Sequence, residues 1–436
     1  MLRQVLFVLA YLGLLPAIIP SPFTGVLIYK WLEYLPPDSA YSVSVLPDRL
    51  SFTVAGLTFL FWLIREKKTL PQPPLLMVML VVFFVWINLT TWFALVPAAA
   101  EFKWDRTVKV IGFALLTAQM MRSRSRIEAF IWVQVICVAY SAIPGAIKTV
   151  LTGGGGEVVV GVPGSFIDER VAFAVSLPII APLALFLANH ATLLPASRWL
   201  KRALQGIAAS CIISLVGTFA RTALFSGGAA LLMLTLKSKR KLLAALTAGV
   251  VVLFCFEIAP ETWLQRMDTT VNYQNDGSAE SRIASWQWSW NFALEHPFLG
   301  GGFRVETLNH VPGTAPGSWL ESHNILFEVM AEHGFVGLAL FCGLIGLAYR
   351  SCGVASRRAR ERPDLAWAAD LARTVQAGLV VFVAGGMFIS VASSPFLYDL
   401  VAITISLRSL VERETAKEQV RGRVPGRETA GMLPAQ

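Results

Sequence analysis

Apolar runs of about 20 residues recur along this chain, and they leave it few folds to choose from. Crossing a hydrocarbon core ~30 Å thick takes about 20 apolar residues in a helix. Inside lipid, a backbone that is neither helical nor closed into a barrel leaves its polar groups unpaired. Twelve such runs stand near residues 4–20, 48–65, 74–94, 106–121, 127–148, 170–189, 203–218, 221–236, 241–259, 323–349, 373–393 and 395–411. Several are short or carry polar residues. Of the 436 residues 55% are hydrophobic and 15% charged, with a mean hydropathy of +0.60, outside the range of a soluble domain of this length. The expected fold is all-α, a polytopic membrane protein of about 12 transmembrane helices, with a single transmembrane domain over residues 1–411.

Charge orients the helices. Lys and Arg cluster after alternate runs, at Arg65/Lys67/Lys68, Arg122/Arg124/Arg126, Arg198/Lys201/Arg202, Lys237/Lys239/Arg240/Lys241, Arg350 to Arg373 and Arg408 to Arg427. With Arg3 these hold 26 of the 37 basic residues, so they decide the topology. Basic loops stay cytoplasmic, which puts both termini inside. The net charge of +9 needs no nucleic acid to explain it. The run Pro22 to Leu35 is too short to cross, and the flanks Pro20-Ser-Pro22 and Pro36-Pro37 break helices, so residues 22–47 read as an interfacial or re-entrant hairpin. No small-residue cleavage site follows the first run, which argues against a cleaved signal. Residues 412–436, rich in Arg, Glu, Gly and Pro without apolar periodicity, read as a disordered cytoplasmic tail.

Cysteine carries little information. Cys137, Cys211, Cys255 and Cys342 fall within apolar runs and Cys352 at a cytoplasmic edge, so the outward loops have no disulfide framework. The five His and five Cys show no metal-ligand spacing, and the sequence contains no Walker loop and no Gly-x-Ser-x-Gly.

Ionisable residues concentrate in the outward segments. Lys103, Arg106 and Lys109 recur at helical spacing beside Trp104, as an interfacial anchor or a landing patch for an anionic headgroup. The loop Thr149 to Glu169 holds Gly153-Gly-Gly-Gly156 and delivers Asp168, Glu169 and Arg170 to the start of a helix. The two carboxylates suit a helix N-terminus, whereas Arg170 either snorkels to lipid phosphate or faces a polar cavity. Arg221 lies in a short outward turn that cannot hide it, and a cation at membrane depth is a site candidate unless an ion pair, with Glu328 or Glu332, explains it.

The large outward loop spans residues 260–322. Within it Ser278 to His296 reads as a helix stopped by Pro297, with Arg282, Trp286, Ser289 and Ala293 on one stripe and three Trp suited to the headgroup plane. Gly300-Gly-Gly302 then leaves the next stretch free to move. Ser322 is a candidate N-cap, which puts His323 in the first turn of the next helix, where the dipole disfavours the imidazolium. A neutral imidazole is what a general base requires; an imidazole that merely hydrogen-bonds at an interface is the plainer reading. Glu328 and Glu332 share a face, with Glu328 about 140° from His323, so they are candidate partners for Arg221 or Arg170 rather than for the ring. Together these residues describe a cavity open to the outside, lined by Arg170, Arg221, Arg282 and His323, with Glu321, Asn324, Glu328 and Glu332 as support. Guanidinium groups around one base suit a diphosphate.

His323-Asn324, nine residues, Gly334, two residues and Gly337 resembles the signature of the O-antigen ligase and polymerase superfamily. Pro22-Phe-Thr-Gly25 with Trp31 and Tyr34, Arg266 to Tyr273 with Asp276-Gly-Ser-Ala279 and Arg282, and His296-Pro-Phe-Leu-Gly-Gly-Gly-Phe303 resemble, more narrowly, O-glycosylation ligases associated with exosortase A systems. The resemblance covers the chain to about residue 411, and the block Gly217 to Lys241 also fits it.

It implies an inverting glycosyl transfer, without metal or other cofactor, on the periplasmic face of the bacterial inner membrane, in a helical fold of the broad C-type glycosyltransferase kind. The donor would be an undecaprenyl-diphosphate-linked glycan and the acceptor a hydroxyl, on protein or on a lipid-linked sugar. By matching motif, Arg221 and Arg282 would bind the diphosphate and His323 would activate the acceptor. Arg221 sits in Ala-Arg-Thr where the family has Ser-Arg-Gly, and Asp168-Glu-Arg170 departs from an Asn-containing segment. Ligation to lipid A-core and polymerisation of repeat units differ from protein glycosylation only in the acceptor. A transporter of lipid-linked glycan is the non-enzymatic alternative, and the internal repeat usual in that class is missing from the sequence.

Overall fold

A computed structural model describes residues 2–41, 47–152, 158–237, 241–243, 245–246, 249–250, 253, 277–309 and 319–423. The regular structure among these residues is helical, with no strand. In chain order the helices are α1 (Leu2–Leu14), α2 (Pro22–Tyr34), α3 (Pro37–Tyr41), α4 (Pro47–Arg65), α5 (Leu75–Trp92), α6 (Pro97–Met120), α7 (Arg124–Leu151), α8 (Arg170–His190), α9 (Arg198–Gly217) and α10 (Arg221–Lys237). Then come α11 (Gly277–Glu295), α12 (Ile325–Arg360), α13 (Ala366–Gly386) and α14 (Pro395–Arg423).

Six helices among the described residues, including α5, α7, α8, α9 and α12, are long and apolar enough to cross a membrane, with two shorter apolar helices at the N-terminal end. The other expected spans among the described residues are not in this set. Helix α6 carries Glu101, Lys103, Asp105, Arg106 and Lys109, α10 has 17 residues, and most of 241–259 lies outside the described residues.

Within the segment read as a hairpin at 22–47, the structure describes two short helices, α2 and α3. Pro22 starts α2 instead of breaking it, since its missing N–H falls where a helix has no partner for one. Helix α2 is buried along much of its length, packed against α4 and α7, with Phe23, Val26 and Tyr34 in the main core. Lys30 is wholly buried there. Its ammonium lies 2.7 Å from Glu33 and 2.7 Å from Asp399 of α14. Asp399 also accepts from the Tyr34 hydroxyl at 2.9 Å and from the Gln134 amide at 2.8 Å. One carboxylate thus ties α2, α7 and α14 together.

Helix α14 likewise runs on to Arg423, past Glu412 where a disordered tail was expected. Arg358 and Arg408 both pair with Glu412, and Arg362 reaches Glu418 at 3.1 Å and the Glu414 carbonyl at 2.7 Å. These contacts supply the order that apolar periodicity does not. Residues 424–436 lie outside the described residues.

The basic clusters gather at one end of the bundle. Arg122 donates to the Lys67 carbonyl, Arg413 to the Arg122 carbonyl at 2.7 Å, and Arg124 to the His190 carbonyl at 2.7 Å. The first turns of α8, α10 and α12 stand at the other end. Replacing Lys30 by Met strands two buried carboxylates and is expected to destabilise the protein by about 3–5 kcal/mol. Lys109→Met, which breaks an exposed pair with Asp105, should cost under about 1 kcal/mol. Thermal unfolding of both variants in detergent checks the contrast.

Candidate functional site

His323 stands just before α12, not in its first turn. Asn324, not Ser322, is the N-cap: its side-chain oxygen accepts from the N–H groups of Leu326 at 2.9 Å and Phe327 at 3.4 Å. Its amide nitrogen reaches the Met387 carbonyl at 3.1 Å. On the other side of His323, the Trp286 indole donates to the Ser322 carbonyl at 2.6 Å while its ring stacks on Phe327. Clamped from both flanks, His323 takes a left-handed backbone with φ of 46°. A β-carbon in that region costs about 1–3 kcal/mol. Among the described residues the only other non-glycine residues with positive φ are Arg304 and Phe219, and all three are in loops at this end of the bundle.

The three Trp of α11 accordingly pack on protein: Trp286 on Phe327, Trp288 on Phe292 and Trp290 edge-on to Phe335. Nor does Gly300-Gly-Gly302 act as a loose joint. Helix α12 breaks at Gly334, whose φ of 69° and ψ of −175° only glycine adopts readily. The break frees carbonyls that the triple glycine then satisfies, Gly301 N–H to Ala331 and Gly302 N–H to Glu332, both at 2.9 Å. Phe335 N–H returns to the Pro297 carbonyl at 2.8 Å. A Cβ on Gly334 would sit 2.2 Å from the Phe298 oxygen.

The first, broken-off part of α12 is fixed by Lys103, whose ammonium lies 2.6 Å from both Glu328 and Glu332. Glu332 also accepts from Arg304 N–H at 2.8 Å, and Glu328 from Ala392 N–H at 3.1 Å. The two carboxylates therefore serve Lys103, not Arg221 or Arg170. Their i, i+4 spacing fits one cation between them, and only the fold shows which cation that is.

His323 opens onto a cavity of about 330 Å³. Its cations are Lys103, Arg106 and Arg304, and its carboxylates are Asp168, Glu169, Glu306, Glu321 and Glu328. Arg170, Arg221 and Arg282 do not line it, which corrects the arginine-lined cavity expected from sequence. Arg170 and Arg221 start α8 and α10, which pack side by side through Val171, Ala174, Ala220 and Ala223. One turn after Arg221, Phe225 stacks on Phe388, the neighbour of the lining residue Ile389. Arg282 lies one turn before Trp286 and its charge is felt at His323. The interior of the cavity is rich in carboxylates, and of the three arginines Arg282 acts on it through His323.

Burial and then the charge of Arg282 hold the His323 imidazole below its ordinary pKa of 6.5, against the opposing pull of Glu169. Glu321 is raised, by burial first and then by Glu306. Its carboxylate lies 3.9 Å from His323 Nδ1, beyond hydrogen-bond length. A half-buried neutral imidazole beside carboxylates can take a proton from a hydroxyl, and carboxylates can accept hydrogen bonds from the hydroxyls of a sugar. Among the described residues no three His, Cys, Asp or Glu side chains converge as a metal site. Arg304 and Glu306 gave no sequence signal of their own; Lys103 and Arg106 did, through their helical spacing.

Residues 206–342 match the family model Wzy_C, described as O-antigen ligase. Residues 2–192 match DUF5935, described as a family of unknown function. No curated protein matches the chain. The first match contains Arg221, Arg282 and His323; the second holds Arg170 and the cavity residues of α6 and the α8 rim.

Gly334→Ala forces a side chain into the Gly-only region and against the Phe298 carbonyl, and should cost more than about 2 kcal/mol. Thermal unfolding, with proteolysis at the 297–302 turn, checks it.

Proposed function

We propose, from the O-antigen ligase domain over residues 206–342, that this protein is a membrane glycosyltransferase. It moves a glycan from undecaprenyl diphosphate to a hydroxyl acceptor at the periplasmic face of the inner membrane. The observation that carries the reading is His323, held neutral and strained at the mouth of a carboxylate-rich cavity and within electrostatic reach of Arg282.

The acceptor hydroxyl lies in the cavity and gives its proton to the His323 imidazole as its oxygen attacks the anomeric carbon. The bond from that carbon to the diphosphate oxygen breaks, and the electron pair leaves with the diphosphate. Arg221 and Arg282 take up the charge that develops there, and Arg170 adds to the same flank. A single displacement inverts the anomeric centre. Within the cavity Glu321 and Glu169 orient the hydroxyls of the sugars, while Lys103 and the capping Asn324 hold the scaffold. The exosortase-associated resemblance favours a protein as the acceptor.

A groove gives the donor's tail a path. It runs between α8, α9 and α10 from Ala223 to Leu234, has a volume of about 210 Å³, and is apolar along nearly its whole wall. Its upper end lies within one turn of Arg221, the distance that separates a diphosphate from its first isoprene units.

His323→Asn keeps a residue that tolerates the left-handed conformation while removing the base, and should lower transfer by about 10²- to 10⁴-fold. In the unaltered enzyme the acid limb of the pH profile should fall below 6.5. Arg282→Gln removes a repulsion of the imidazolium, so the His323 pKa rises and the limb moves to higher pH. Full transfer by the Asn variant, or an unmoved limb, contradicts the assignment.

A Cβ on Gly228 meets nothing within 4 Å, so Gly228→Leu adds apolar bulk to the groove wall. It should cut transfer from the full-length polyprenyl donor at least tenfold and spare a donor with a truncated lipid, as measured with purified protein.

A further inference from the structure

A second cavity, of about 660 Å³, opens at the other end of the bundle, between the last turn of α10 and the junction of α12 with α13. Lys237, Arg360, Arg362 and Arg373 line it, with Asp370 as a carboxylate among them. Asp370 is already engaged, 2.9 Å from His190 Nε2 and ion-paired to Arg373. Arg362 is engaged as well, with Asp364 at 2.7 Å and Glu418 at 3.1 Å.

The other two cations are not neutralised in this way. Lys237 donates to the Gln376 side-chain oxygen and stands 5.6 Å from the Tyr349 ring. Among the described residues neither Lys237 nor Arg360 has a carboxylate within ion-pair distance. Met233, Leu234 and Ala377 make the facing wall apolar, and Leu232 and Leu236 of α10 are each 58% exposed beside it.

We propose that this cavity binds the headgroup phosphate of an anionic phospholipid. Lys237 and Arg360 take the phosphate oxygens, and the apolar wall takes the first methylenes of the acyl chains. The cavity opens where the basic clusters gather, the level at which cations meet lipid headgroups. Free inorganic phosphate would use the two cations and leave the wall without a role. The inference is independent of the glycosyltransferase reading, because lipid binding is read without turnover.

The test uses the full chain in neutral detergent, titrated with phosphatidylglycerol or phosphatidylcholine and read by native mass spectrometry. Phosphatidylglycerol should bind several-fold tighter. The double variant Lys237→Met with Arg360→Gln should lose about 25-fold in phosphatidylglycerol affinity, roughly fivefold per cation, with phosphatidylcholine unaffected. Excess inorganic phosphate should not displace the lipid. If Lys237→Met impairs folding, judged by thermal unfolding without lipid, Arg360→Gln alone should still show the fivefold loss, since its side chain is exposed. Undiminished phosphatidylglycerol binding by the folded variant overturns the site, and displacement by phosphate assigns it to a free anion instead of a lipid.

Discussion

Lys103 shares its ammonium between two carboxylates that α12 has buried, and the geometry around His323 depends on that contact. Glu328 and Glu332 sit before the Gly334 break, on the part of α12 that the intrahelical ladder no longer anchors. Without the cation that part would hold two unpaired charges away from water, the most costly arrangement such a site can have. With it, α6, the 304–306 turn and the loop before α14 are drawn to one point. The Asn324 cap then fixes the residue before it in a left-handed conformation.

The break in α12 has a comparable logic. A helix interrupted inside a bundle must find donors for the carbonyls it frees. The 297–302 turn supplies them through its own N–H groups, so the chain after α11 is stitched to the broken part of α12. In the first turns of α14 Asp399 repeats the device, one carboxylate gathering Lys30, Tyr34 and Gln134 from two other helices. Polar groups in these places set which helices meet, a choice that interchangeable apolar surfaces make poorly.

Much of the scaffold is legible without coordinates. Apolar run length marks α5, α7, α8, α9 and α12, because the hydrocarbon thickness allows little else. The alternation of basic clusters anticipates that their helix ends meet at one pole, whereas the break at Gly334 lay inside a run that read as one span. The prolines at 20–22 and 36–37 bound α2, since proline stops a helix from within and starts one at its first turn, but local sequence did not show how deeply the segment is buried. The continuation of α14 past Glu412 was hidden because ion pairs to Arg358 and Arg362, distant in sequence, supply its order.

The sequence by itself determined an all-helical, membrane-spanning chain, its polarity of charge, and a histidine at the start of a long helix flanked by candidate arginines. Those properties follow from transfer energies and periodicities that act over a few turns. Only the tertiary structure decided that Lys103 is the partner of Glu328 and Glu332, that the cavity beside His323 is rich in carboxylates and is not lined by Arg170, Arg221 or Arg282, and that a cationic cavity lies at the opposite end. Each of these is a contact between helices far apart in the chain. Side chains at helical spacing show which way they face along their own element, and packing alone decides what stands opposite.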